Sequence, residues 1–225
     1  MFAGFPRAGL RFLAELAAHN ERAWFEPRKS EYERNVLEPT RAFVSEASDA
    51  LQRAGVAIGG DARRSIFRIY RDVRFSPDKR PYKTHQSVYL SYDGGRDTPG
   101  GLYVHVEPRA SYFAVAFYRI ERTMLQRWRA DMARSPARFL AVLRALGRAG
   151  LRIDEPGDRR DALTRMPRGF ERYAQSELAP YFKLRSFVVH RPLLQREVTS
   201  PALVAQAVAF TRATMPLLEF GWRLD

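Results

Sequence analysis

Between residues 86 and 119 the apolar side chains recur at every second position, and on either side of that window they recur at helical spacing. This switch of period limits the fold more than any other feature of the chain. Alternation buries one face of a strand, whereas 3.6-residue spacing buries one stripe of a helix. Residues 86–92 set Val88, Leu90 and Tyr92 against Ser87, Tyr89 and Ser91. Residues 102–107 set Leu102, Val104 and Val106 against Tyr103, His105 and Glu107, and residues 111–119 set Phe113, Val115 and Phe117 against Tyr112, Ala114, Ala116 and Tyr118. Joined by DGGRDTPGG and PRA, the three runs predict an antiparallel meander with one aliphatic, phenylalanine-rich face. The other face is tyrosine, alanine, serine and one histidine.

The flanks predict helices. Pro6 suits a first turn ahead of Phe12, Leu13, Leu16 and Ala17, and Asn20 suits that helix's end or the next helix's cap. Residues 21–34 and 39–53 carry two more amphipathic patterns, with Gly55 as a stop. Residues 122–149 return to helix with a break at Ser135-Pro136. Residues 154–169 read as loop, 171–181 as a short helix, 184–190 as a strand and 201–220 as a closing helix. The expected fold is α+β: one domain over residues 1–225, with a central, mostly antiparallel sheet flanked by N-terminal and C-terminal helices. The chain shows no internal repeat and no linker that would divide it.

Composition matters here chiefly through charge. The 38 basic residues exceed the 25 acidic ones, for a net +13, and only Lys29, Lys79, Lys83 and Lys183 are lysines. Codon preference exchanges lysine for arginine but does not create an excess over acids, so the excess predicts anionic partners. The absence of cysteine excludes a disulfide framework, thiolate metal sites and a cysteine nucleophile. No signal peptide is read in MFAGFPRAGLRFLAEL and no apolar run is long enough for a bilayer, so a cytoplasmic protein without membrane association is expected. Oligomeric state is not legible.

The charge is focused. Arg63, Arg64, Arg68, Arg71, Arg74, Lys79, Arg80 and Lys83 face only Asp72 and Asp78 over residues 63–83. Periodicity alone fits either a helix or a strand over residues 65–75; β-branched and aromatic enrichment favours the strand, with Phe67, Ile69, Val73 and Phe75 on the core side. Arg68, Tyr70, Asp72 and Arg74 then line the opposite face, a turn follows at Ser76-Pro77-Asp78-Lys79, and His85 stands at the mouth of the next strand. Guanidinium forks and phenols suit phosphate or carboxylate oxygens. The ligand-binding set is therefore Arg68, Tyr70, Arg71, Asp72, Arg74, Lys79, Tyr82 and Lys83, and its partner an anionic small molecule or nucleic acid. The plainer reading is a scaffold in which these arginines pair with the protein's own acids.

The stretch FRIYRDVRFSPDKRPYKTH resembles the hallmark of a conserved hypothetical bacterial family, domain-of-unknown-function family 2461. HNERAWFEPRKSEYE is similar to that family's Asn-x-x-x-Trp-Phe region, GLYVHVEP to its central strand, and LRSFVVHRPL with the closing helix to its end. The resemblance covers essentially the whole chain. It implies no activity and no catalytic residue, but it makes Arg68, Tyr70, Arg71, Asp72, Arg74, Asp78, Lys79, Tyr82, Lys83 and His85 parts of one family-wide feature. Arg80 stands where many members have a polar or small residue.

His85, His105 and Glu107 are the candidate catalytic residues. A histidine beside a carboxylate can act as general base while arginines steady an anionic substrate, which makes a hydrolase or transferase the alternative function. A satisfied cross-strand His–Glu pair explains the same residues without chemistry. Histidine and glutamate two positions apart are common by chance, so metal binding through His85, His105, Glu107 and Asp72 is a weak signal; no metal and no cofactor is expected. His19 and His190 read as a helix end and a strand end, and Trp24-Phe25 as a core anchor.

Overall fold

A computed structural model describes residues 1–154 and 162–224. The predicted loop over 154–169 lies partly outside the described residues. In chain order the elements are α1 (Arg7–Ala18), α2 (Arg22–Phe25), α3 (Lys29–Tyr32), α4 (Glu38–Arg53), β1 (Gln86–Ser91), β2 (Gly101–Val106), β3 (Tyr112–Phe117), α5 (Arg122–Arg134), α6 (Pro136–Arg148), α7 (Ala179–Phe182), β4 (Phe187–Pro192), α8 (Gln195–Val198) and α9 (Leu203–Trp222). The four strands form one antiparallel sheet in the order β1-β2-β3-β4, and the fold is α+β.

The predicted apolar face is the core face, and the opposite face is largely covered too, with Ser87, Ser91, His105, Ala114 and Ala116 buried. Val88, Leu90, Leu102, Val104, Val106, Phe113, Val115 and Phe117 are all buried, while Tyr92, just past β1, is exposed. The break between α5 and α6 falls at Ser135-Pro136, where proline opens the second helix. Gly55 follows α4 with φ +71, the left-handed conformation that a helix stop favours in glycine. Two helical predictions need correction. The N-terminal patterns are not separate helices: a 3-10 turn (Glu26–Arg28) joins α2 to α3, and a π-helical turn (Glu33–Leu37) joins α3 to α4, so Pro39 enters an already formed helix. The predicted helix at 171–181 reduces to a 3-10 turn (Glu171–Tyr173) and α7. There the Ser176 hydroxyl donates to the Tyr173 carbonyl, competing with helical bonding.

The described chain divides into two compact units. The first contains residues 1–98, 102–113 and 192–210; the second contains 99–101, 114–191 and 211–225, of which residues 155–161 and 225 are not described. One hydrophobic cluster of the first unit gathers Phe12, Leu13 and Leu16 of α1 with Phe25, Tyr32, Val36, Ile69 and Tyr82. The second unit centres on Trp128, which stacks on Phe187 at 3.9 Å and meets Phe117 and Phe220 edge-on at 5.2 and 5.0 Å. Its buried Arg129 donates to the carbonyls of Phe182 and Leu184, and desolvation lowers that guanidinium's pKa. No described helix is long and apolar enough to cross a membrane.

Candidate functional site

All the candidate site residues lie in the first unit. The basic stretch is not a strand there. Residues 65–67 run along the outer edge of β1, where Phe67 N–H donates to the Ser87 carbonyl and Tyr89 N–H to the Ser65 carbonyl. The chain then folds back on itself, with Lys83 N–H donating to the Ile69 carbonyl at 2.7 Å and Arg71 N–H to the Pro81 carbonyl at 2.8 Å. Pairing stops at the single Tyr70–Tyr82 bridge. The next rung would need an N–H on residue 81, and proline has none. Freed from pairing, residues 72–80 form an irregular tip. Of the expected core side only Ile69 is buried, joined by Ile66, whereas Phe75 is 93% exposed.

Three contacts moor the inner end of the stretch. The Asn20 side chain donates to the Tyr82 carbonyl at 2.9 Å and accepts from the Tyr82 N–H at 3.0 Å, standing in for a strand partner. Phe25 stacks on the Tyr82 ring at 4.1 Å and meets Tyr70 edge-on. The Tyr32 hydroxyl donates to Gln86 Oε1 at 2.9 Å, and Gln86 Nε2 donates to the Phe67 carbonyl at 2.8 Å. Burial raises the Tyr32 pKa, keeping it a neutral donor. Tyr32 immediately precedes the π-helical turn, a widening that recurs beside functional sites.

At the tip the cations meet internal acids. Arg74 forks onto Asp72 through Nε and a terminal nitrogen at 3.0 and 2.7 Å; these bonds hold the Asp72 pKa down to about 2. Asp78 accepts from both Arg80 and Arg71, which depress its pKa well below the usual carboxylate range. The Lys79 ammonium donates to the Val73 carbonyl. The structure thus gives Arg71, Arg74 and Lys79 internal partners. It leaves Arg68 exposed with no carboxylate partner among the described residues.

The inner end differs. Lys83 is half-buried, and its ammonium sits 5.3 Å from the centre of the Phe67 ring, which also carries Arg96 at 5.4 Å. Desolvation, then Arg68 and Arg96, lower its pKa. No described carboxylate is within ion-pairing distance of it. Beside it His85 lies against His105 with ring centres 4.2 Å apart, and Tyr112 stacks on His105 at 4.7 Å. His105 Nε2 is 3.1 Å from Glu107 Oε2 and its Nδ1 is 3.2 Å from the Tyr103 hydroxyl. The Thr84 hydroxyl donates to Glu107 Oε1 at 3.0 Å. Desolvation, reinforced by His105, pushes the His85 pKa down to about 4; burial also lowers that of His105, against the pull of Glu107. His85 has no hydrogen bond to any described residue. Arg71, Asp72, Arg80, Tyr82, Lys83, Thr84 and His85 line a cavity of about 370 Å³.

The predicted catalytic trio is therefore assembled, and Lys83, Arg71, Asp72 and Tyr82 of the predicted binding set line the cavity beside it. Arg68, Tyr70, Arg74 and Lys79 are not among its lining residues. Sequence reasoning missed Thr84, Phe67 and Arg96 as neighbours, and missed Asn20 as the clasp. Only the resemblance of the HNERAWF segment carried any signal for Asn20. His190, expected as a strand end, bonds Asp154 at 2.6 Å.

An α+β frame that gathers two histidines and a glutamate, one histidine sharing a cavity wall with a half-buried lysine, defines a protein with a built polar site. The chain belongs to the conserved hypothetical protein family DUF2461, whose model matches residues 8–220. No curated protein and no solved structure matches the chain.

Proposed function

We propose that the protein binds a small anionic ligand, bearing phosphate or carboxylate, in the cavity beside Lys83 and His85. The observation that carries this reading is the half-buried Lys83 ammonium. It lies close to two further cations and has no carboxylate partner among the described residues. A partly desolvated charge left unpaired is costly, and an anion entering the cavity relieves that cost while gaining a charge-assisted hydrogen bond. The tip arginines, already forked onto Asp72 and Asp78, have less to gain. An enzyme acting on such a ligand is the second reading, favoured by the unbonded His85 ring on the same cavity wall.

Calorimetric titration of the full chain with inorganic phosphate and with citrate tests this. Saturable binding at one site is expected, weakened at least about tenfold by Lys83→Met and unchanged by Arg74→Ala. A folded chain that takes up neither anion at about 10 mM overturns the reading. Binding of an oligonucleotide with steep salt dependence, weakened by Arg74→Ala but not by Lys83→Met, would transfer the function to the exposed arginines.

A further inference from the structure

We propose that His85, His105 and Glu107 hold a divalent first-row transition metal ion. One ligand atom from each lies within 4.8 Å of the other two. His85 stands at the mouth of β1, and His105 and Glu107 alternate onto one side at the end of β2. The 3.1 Å between His105 Nε2 and Glu107 Oε2 suits a hydrogen bond, but it is also about the edge length of a coordination polyhedron with bonds near 2.1 Å. Full closure brings the His85 nitrogen from within 4.8 Å of the other donors to an edge of about 3.0–3.4 Å, an approach of about 1.5 Å, and no hydrogen bond from a described residue holds that ring in place.

The surroundings fit ligation as well as the donors do. Metal-bound histidines direct their second nitrogen to a polar partner, and bound carboxylates are themselves hydrogen-bonded. His105 Nδ1 faces the Tyr103 hydroxyl at 3.2 Å, so Nδ1–H donating there leaves Nε2 for the metal. Thr84 occupies Glu107 Oε1, leaving Oε2 for the metal. Two imidazoles and one carboxylate suit Zn²⁺, Mn²⁺ or Fe²⁺ better than Mg²⁺ or Ca²⁺, which prefer oxygen throughout. Three protein ligands also leave coordination positions open on the side of the cavity that His85 lines, where an anion's oxygen can bind. Asp72, the fourth residue the sequence offered, is engaged by Arg74 and falls outside the cluster. The inference departs from the sequence expectation of no metal, which rested on the chance frequency of a His-x-Glu spacing.

Calorimetry with Zn²⁺, and visible absorption with Co²⁺, on the EDTA-stripped full chain test it. One equivalent of metal is expected, with d–d bands from Co²⁺. Affinity should fall at least about tenfold in His85→Gln and in Glu107→Gln, and about tenfold in Thr84→Val, which touches no ligand atom. His190→Gln, at the other histidine–carboxylate pair, should change nothing. No stoichiometric binding to folded wild-type chain, or binding that survives both ligand substitutions, overturns the proposal. If the ligand variants fail to fold, Thr84→Val decides: unaltered affinity there counts against it. The metal alone is the probe, so Zn²⁺ binding without phosphate or citrate binding would remove only the anion reading, and the converse only this one.

Discussion

The two ends of one basic stretch put the same residue types to different uses. At the tip, residues 72–80, the charges are largely exposed, and Asp72 and Asp78 answer Arg71, Arg74 and Arg80. At the inner end, residues 81–86, the backbone is clasped by Asn20, Tyr82 is buried under Phe25, and Lys83 and His85 are half-buried with no carboxylate bonded to either among the described residues. Exposed ion pairs contribute little to stability, whereas a buried clasp contributes a good deal and an unpaired half-buried cation costs. Charge density in a sequence does not separate these cases; mooring does.

The sharpest way to break the comparison is to remove one aromatic ring from each end. Phe25→Ala empties the stack on Tyr82 and is expected to destabilise the protein by about 3–5 kcal/mol, read as a fall in the urea midpoint. Phe75→Ala should stay within about 0.5 kcal/mol of wild type. Equal losses would show that the tip is packed in solution. Next in size, Asn20→Ala strands both backbone groups of Tyr82 and should cost about 1–3 kcal/mol; it should also speed amide exchange at Lys83 by more than at Arg74. Smaller again is a pH effect confined to the tip. The folded-state pKa values of Asp72 and Asp78 lie below the unfolded value near 3.9, so their contribution is complete above about pH 5 and is lost progressively as pH falls, that of Asp72 by about pH 2 and that of Asp78 at still lower pH. Amide exchange, corrected for intrinsic rate, should therefore rise at residues 72–80 across that interval and stay flat there in Asp72→Asn/Asp78→Asn. The smallest effect is expected for Arg74→Ala, which should leave the melting temperature unchanged.

What the sequence made legible had a period. Val88, Leu90, Leu102, Val104 and Val106 declared their strands, and Ser135-Pro136 declared the break between α5 and α6. The trio of His85, His105 and Glu107 followed, because strand alternation and a meander bring those positions together. What it hid depends on single contacts across long separations. Asn20 reaches Tyr82 over 62 positions and Tyr32 reaches Gln86 over 54, and neither leaves a periodic trace. The predicted strand at 65–75 failed for a related reason. Its composition favours β structure, but whether a ladder extends depends on the partner segment, and that segment contains Pro81.

Pro81 has a wider consequence. An open strand flank is where a second chain can add itself, the usual first step towards amyloid-like association. Here the outer edge of β1 is already bridged at Gly59–Ser91 and Ile66–Val88, and the fold-back beyond it pairs only at Tyr70–Tyr82 before a bent segment carrying two prolines, Lys79 and Arg80, which offers an incoming chain neither a straight row of donors nor an uncharged approach. The proline that keeps the cationic tip irregular also makes this margin of the molecule a poor template for growth.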